Sequence, residues 1–306
     1  MERLQVAVAV DFSPESDIAV RQGLELARAS RGELILLHAI EWPGELPTTS
    51  LRPEVSRAIE TRRSQAARAV DRDRERLADL CDRLSTEGAK VLHSVLEGHP
   101  ELVVPRAARE LGADLLLVGT HGRTGLGWFF LGSVAERIVR SSDIDVLVAR
   151  GDGPALGGFH RILVATDFSP QADRALDRAM SLAASDAVID VAHFYGGHPA
   201  AELHDELRSL GDQDLDEVLV ADLRAAGEAM VSERRAGGRA PRFSVVSQRA
   251  VPGIVHRLEA QPYDLVALGS HGRRGIARVV LGSVAETVAR RAPCSVVIAR
   301  GGHERE

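Results

Sequence analysis

Two glycine-rich segments carry the chemistry of this sequence. Gly119-x2-Gly122-x9-Gly132-Ser133 returns later as Gly269-x2-Gly272-x9-Gly282-Ser283. Glycine lets a phosphate oxygen approach the backbone and permits unusual dihedral angles. A Gly-Ser pair at a helix start offers free N–H groups, a favourable dipole and a hydroxyl donor to an anion. Arg123 and Arg273 stand within the segments and would offset phosphate charge. The competing reading is that these glycines only build tight turns. His121 and His271, also inside the segments, either hydrogen-bond phosphate or hold the loop. Two carboxylates complete the set. Asp11 and Asp167 each follow an apolar run, within Asp-Phe-Ser-Pro. They are placed to accept from an adenine amino group or a ribose hydroxyl, or to cap the helix that follows. Ser13 and Ser169, just before the prolines, are the better caps.

The elements that position these residues repeat. Val8–Pro14 returns as Val164–Pro170, an offset of 156, and Leu131–Glu136 returns as Leu281–Glu286, an offset of 150. Segments recurring in the same order identify a duplicated domain. Gly151–Gly158 holds four glycines and a proline, so 1–150 and 159–306 read as domains joined by a linker at 151–158. In the first half, apolar runs at Leu4–Val10, Leu34–Ile40, Val91–Leu96, Leu115–Gly119 and Ile144–Ala149 predict strands. Amphipathic stretches at Glu15–Ala29, within Pro53–Glu87, Glu101–Leu111 and Ser133–Arg140 predict helices between them. The second half predicts strands at Ile162–Thr166, Val188–Phe194, Phe243–Gln248, Leu265–Gly269 and Ser295–Ala299. Continuous apolar runs suit strands covered on both faces. The alternation implies α/β architecture: two tandem, doubly wound, parallel-sheet, Rossmann-like domains. Ligands in such sheets sit beyond the strand carboxyl ends, where strand order reverses.

Composition and missing motifs narrow the function. The chain of 306 residues has 38 Lys+Arg against 44 Asp+Glu, a net charge of −6, which disfavours nucleic-acid binding. No apolar run approaches membrane-spanning length, and the N-terminus lacks a signal-peptide pattern, so a cytoplasmic protein is expected. Cys81 and Cys294 are too far apart for a disulfide framework or a cysteine zinc site. No G-x-G-x-x-G follows either first strand, no phosphate-loop lysine motif exists, and no G-x-S-x-G elbow appears. The absence of His-x3-His pairs leaves no metal site, with His193, His198 and His204 read as loop and helix-start residues. The mixed charges of Arg57–Asp82 read as a solvated helix face. Trp128-Phe129-Phe130, replaced by Arg278-Val279-Val280 in the second copy, would cover a nucleotide, meet another subunit or pack under the loop.

The Gly-x2-Gly-x9-Gly-Ser signature, the first-strand Asp and the Leu-Gly-Ser-Val-Ala-Glu run resemble the universal stress protein family in its tandem-domain form, over nearly all of both halves. That resemblance implies an adenine nucleotide alpha hydrolase-like fold and two ATP sites, with Mg²⁺ accompanying the phosphates. The implied first site comprises Val10, Asp11, Ala39, Val118, Gly119, Gly122, Arg123, Gly132, Ser133 and Val134. The second comprises Thr166, Asp167, Phe194, Leu268, Gly269, Gly272, Arg273, Gly282, Ser283 and Val284. Phe194 replaces a small residue near the adenine seat, where it either stacks or obstructs. Gly98-x-Pro100 becomes Ala250-x-Pro252, which loses a glycine. The family's last strand often mediates dimerisation, so Ile144–Ala149 and Ser295–Ala299 are expected to pair the halves, and a homodimer of tandem chains is expected. The implied function is a nucleotide-binding regulator of the stress response. An adaptor without nucleotide and a slow ATP hydrolase are the alternatives; no catalytic lysine or paired acid/base set supports an enzyme.

Overall fold

A computed structural model describes residues 3–41, 53–120, 131–154, 157–196, 214–234, 240–271 and 281–300. The first half runs β1 (Gln5–Ala9), α1 (Pro14–Ala29), β2 (Glu33–Ile40), α2 (Pro53–Ser85), β3 (Lys90–Glu97), α3 (Pro100–Glu110), β4 (Leu115–Val118), α4 (Ser133–Ser141) and β5 (Asp145–Val148). The second runs β6 (Phe159–Thr166), α5 (Pro170–Leu182), β7 (Ala183–Phe194), α6 (Asp214–Ser232), β8 (Arg242–Val246), α7 (Ala250–Ala260), β9 (Leu265–Gly269), α8 (Ser283–Arg291) and β10 (Ser295–Ala299). The expected strands and helices are all present. The main difference is β7, which starts five residues before Val188. There α5 runs straight into extended chain, Phe159 pairs with Ala183, and the register shifts before Arg161.

All ten strands form one sheet in the order β3-β2-β1-β4-β5-β10-β9-β6-β7-β8. Every pairing is parallel except β5 with β10, which is antiparallel with Val148 opposite Val296 and Val146 opposite Ile298. The last strands thus join the halves, as expected, and each satisfies the other's edge. Within each half the order reverses between the first and fourth strands: β1 lies between β2 and β4, and β6 between β7 and β9. A crevice at the strand carboxyl ends follows from that reversal.

Alternate strand residues feed two cores. On one face Val6, Val8, Leu34, Leu36, Leu115 and Leu117 pack with α1, α2 and their counterparts α5 and α6. On the other, Ala7, Ile35, Leu37, Leu116 and Val118 pack with α3, α4, α7 and α8. Both cores run through both halves, so the seam between β5 and β10 is interior. The α1 and α5 starts follow directly from sequence. Ser13 accepts from the Ser16 N–H at 3.2 Å, Ser169 accepts from the Ala172 N–H at 3.2 Å, and Pro14 and Pro170 occupy the first turn. Among the described residues no helix is long and apolar enough to cross a membrane.

Candidate functional site

The site of each half is built from three chain turns at one rim of the sheet. The first leaves β1 or β6. Phe12 and Phe168 both adopt φ 60°, a left-handed conformation that costs a non-glycine residue about 1–2 kcal/mol. Tertiary packing holds them there. Phe12 lies 4.8 Å from the His38 ring, and the Arg76 guanidinium carbon lies 4.0 Å from the Phe12 ring centroid. Phe168 lies 4.8 Å from His193 and 6.0 Å from Phe243. The histidines tie back to the strand ends: Nδ1 of His38 is 2.6 Å from the Val10 carbonyl, and Nδ1 of His193 is 2.8 Å from that of Thr166. His193 is therefore a β7 residue rather than a loop residue; His198 and His204 lie outside the described residues.

This kink places Asp11 and Asp167 at the strand carboxyl ends and gives them a structural task. Asp11 Oδ1 accepts from the Ser13 N–H at 3.0 Å and from its hydroxyl at 2.5 Å. Asp167 Oδ1 accepts from the Ser169 N–H at 3.1 Å. The serines are the helix caps, as expected, and the aspartates steady those caps. Val10 is buried, with its N–H donated to the Leu37 carbonyl. Thr166 is buried and its hydroxyl accepts from the Phe168 N–H at 3.0 Å.

The second turn leaves β4 or β9. Val118 and Leu268 are buried in the face carrying α4 and α8. Gly119 and Gly269 are glycines because helix backbone passes close by. A Cβ on Gly119 would stand 2.8 Å from the Glu15 carbonyl carbon and oxygen, and one on Gly269 would stand 2.8 Å from the Gln171 carbonyl carbon. Neither has a positive φ. Close packing of the first-helix start against the strand end explains this pair without any ligand. Gly122, Arg123, Gly272, Arg273, His121 and both aromatic-or-valine triplets lie outside the described residues.

The third turn starts α4 or α8. Gly132 and Gly282 are the N-caps, extended at φ −61° and −63°, and neither helix has a side-chain cap. Their N–H groups donate to Thr120 and Ser270 carbonyls at 2.6 and 2.8 Å, which closes each loop at its base. The first intrahelical bond runs from Glu136 to Gly132 and from Glu286 to Gly282. Ser133, Val134 and Ser283 are exposed at these starts, and Val284 is partly buried. Backbone donors of a first helical turn without a side-chain acceptor are suited to an anion.

The halves differ at the ends of the second strands. Ala39 and Phe194 occupy equivalent places on the face carrying α3 and α7. A Cβ on Gly253 would stand 2.5 Å from Phe194 Cδ1, so the ring lies against Gly253 of α7. The corresponding α3 residue is Val103, and the pair Ala39/Val103 has become Phe194/Gly253. The ring thus fills space vacated by a valine. Pro100 and Ala250 both open their helices, which makes Gln248, not Ala250, the counterpart of Gly98. Gly98 has φ +129° and the glycine is indeed lost in the second half.

For a divalent ion, the described residues offer one three-member group, Glu41, His99 and Glu101, with ligand atoms within 4.8 Å of one another. Glu101 is already paired with Arg137 at 2.7 Å, and a histidine suits Mg²⁺ poorly. This group does not fit Mg²⁺.

Sequence reading missed the two Phe–His pairs and a pair of buried arginines, Arg150 and Arg300, just beyond the last strand of each half. The duplication was the signal, since His38/His193 and Arg150/Arg300 recur at offsets of 155 and 150.

Comparison with known proteins places this architecture. The universal stress protein family profile matches residues 3–150 and again 158–300. A universal stress protein of Mycolicibacterium smegmatis is 28% identical over 313 aligned residues, covering 96% of each chain. The solved universal stress protein of Archaeoglobus fulgidus is similar in fold, covering 97% of this chain and 98% of its own with a TM-score of 0.69 at 22% identity. A solved universal stress protein in complex with cAMP matches 49% of this chain and 98% of its own, at 26% identity and a TM-score of 0.32. Two matched spans in one continuous ten-stranded sheet identify the chain as a tandem-domain member of the universal stress protein family.

Proposed function

We propose that this chain is an adenine-nucleotide-binding switch of the stress response, with ATP as ligand and one seat in each half, over domains 1–150 and 159–306. The observation that carries the reading is the uncapped start of α4 and of α8, at the strand-order reversal and opposite the Asp11 and Asp167 turns. Phosphates would take the first-turn N–H groups of Ser133–Ala135 and Ser283–Ala285 with the exposed serine hydroxyls. The ribose and base would lie toward Asp11 and Ala39 in the first half, and toward Asp167 and Phe194 in the second. ATP supplies charge to these donors, and any Mg²⁺ is carried by the phosphates. The chain's own residues orient and desolvate the nucleotide. A switch role follows where nucleotide binds one conformation better than another.

Two features distinguish the halves within this reading. Phe194 lies down on Gly253, which favours a second seat that is reshaped rather than blocked. The interface that the resemblance assigns to the last strand is used within the chain, so a homodimer of tandem chains would need another surface. Hydrolysis is not part of the proposal, because the described residues offer no paired acid and base at the crevice.

Acid release of nucleotide from the purified protein, counted per chain by chromatography and mass, tests the reading. About two adenine nucleotides per chain are expected, or saturation at two when ATP is added back. Gly132→Val and Gly282→Val should each remove one. Absence of binding in both formats overturns the proposal in favour of a nucleotide-free adaptor.

A further inference from the structure

The seam between the halves joins the two candidate phosphate helices. Helices α4 and α8 lie on the same face, on either side of β5 and β10. Four residues bridge them in a two-fold pattern. Arg140 is 3.2 Å from Glu136 on its own helix and 2.8 Å from Glu286 on the other. Arg290 is 3.0 Å from Glu286 on its own helix and 2.8 Å from Glu136 on the other. Glu136 and Glu286 are also the residues whose N–H groups close onto Gly132 and Gly282, so the bridge grips the first turn of each helix.

A second, buried exchange runs beneath it. Arg150 ends the first half, yet its Nη2 donates to the Ala289 carbonyl of α8 at 2.6 Å. Arg300 ends the second half, yet its Nη2 donates to the Val139 carbonyl of α4, and its N–H donates to Asp145 at 2.7 Å. Both arginine residues are buried, and Arg150 Nη1 and Arg300 Nε have no hydrogen-bond partner among the described residues. Neither cation is fully compensated. Burial pushes the Arg150 guanidinium down to about 10 and lowers that of Arg300.

Arg300 is also near the second glycine segment. His271 is held by Ser270, with Nδ1 3.1 Å from its hydroxyl, and its buried Nε2 has no partner among the described residues. Burial first, and then the Arg300 cation, keep that imidazole below its usual value. Ser270 in turn donates to Ala299 and accepts from Gly282. Hydrogen bonds therefore run from the α8 start through Ser270 to Ala299, whose neighbour Arg300 reaches α4.

We infer that the two nucleotide seats are positively coupled across this seam, with Arg300 and Arg150 as the positioning residues that carry the coupling. The inference rests on the proposed nucleotide reading. Phosphate at Gly282–Ser283 would fix the α8 start and, through the Ser270 and Ala299 backbone bonds, the chain that carries Arg300. That tightens the Arg300 hold on the C-terminal part of α4. A cation there and an anion at the α4 start complement the same helix dipole, so each favours the other. In the first half Gly132 bonds to Thr120 and Ala149 bonds to Val118 of the same strand end, and Arg150, next along the chain, reaches Ala289 of α8. A coupling factor of roughly fivefold is at the lower end of the usual range for linked sites.

The test is a binding cycle on the full chain with ATP and Mg²⁺, read by calorimetry. Gly282→Val leaves only the first seat, which should bind roughly fivefold more weakly than it does when the second is filled. In the Arg300→Gln background that penalty should vanish. Should Arg300→Gln fail to fold by circular dichroism, Glu136→Gln with Glu286→Gln, on the half-exposed bridge, must reduce the same penalty. Equal first-seat affinity in wild type and Gly282→Val, with two ATP bound by wild type, overturns the coupling alone. No ATP bound by wild type overturns the nucleotide reading, and the coupling with it.

Discussion

Replacing Gly119 by alanine separates what the fold needs from what a ligand needs. The added methyl would stand 2.8 Å from the Glu15 carbonyl carbon and oxygen and 3.0 Å from the Ser16 nitrogen. Ordinary carbon contacts begin near 3.5 Å, so α1 or β4 must retreat by about 0.7 Å. No rotamer change relieves this, because the neighbours are backbone. The helix start cannot swing aside without losing the Ser13 cap and the Asp11 turn. Overpacking of this kind costs about 1–3 kcal/mol, and the smaller unfolded-state entropy of alanine returns about 0.4–1 kcal/mol. A net loss of about 1–2 kcal/mol is expected, or roughly 3–6 °C in melting temperature. Gly282→Ala is the control. Its nearest neighbour is the Ser270 carbonyl at 3.2 Å and its φ of −63° suits any residue, so its melting temperature should move by less than about 2 °C. Thermal denaturation followed by far-ultraviolet circular dichroism measures both. If Gly119→Ala melts at or above wild type, the close-approach explanation of that glycine is wrong.

Gly253→Val alone should destabilise the second half by about 1–3 kcal/mol, because its Cβ meets Phe194 at 2.5 Å, whereas Phe194→Ala with Gly253→Val recreates the first-half pairing and should recover most of that loss in urea denaturation. Ser13→Ala removes the acceptor for Ser16 and the hydroxyl held by Asp11, and should cost about 1 kcal/mol, read in the same way. Burial pushes the Cys294 thiol up to about 12. At pH 9 the native thiolate fraction is then about a thousandth, so iodoacetamide should leave Cys294 unmodified by mass spectrometry until urea is added; rapid native alkylation would contradict its burial. Because that pKa is raised in the fold, the associated stability is present below the ordinary thiol value and is lost as pH rises from about 9 through 12, which pH-dependent denaturation can follow.

The strands were legible because they are apolar on successive residues, as in Leu34–Leu37 and Leu115–Val118, and chains covered on both faces leave no other pattern. Helix starts were legible from Ser-Pro, whose cap and first-turn geometry are local. The early start of β7 was not, because Ala183 is joined to Phe159 across a register shift that no local pattern marks. At the site, the glycines announced a rim but not its cause: Gly119 answers to helix backbone that only folding brings near. The sequence places the aspartates at the strand ends as ligand acceptors or caps, while their hold on the capping serines needed three dimensions. Arg150 and Arg300 were hidden for a related reason. Each acts on the opposite half, at a sequence separation of 139 or 161 residues, and no local pattern encodes that.

The antiparallel seam has a consequence for divergence. Two separate chains joined through their last strands would assemble only at sufficient concentration, and every substitution would occur twice. Joining them by a linker makes that encounter intramolecular, with an effective concentration in the millimolar range. The pair is then stoichiometric at any dilution, and symmetry no longer binds the two copies. One half keeps Ala39 and Val103 while the other has Phe194 and Gly253, so a shared sheet becomes a place where one inherited strand end is retained while its duplicate diverges.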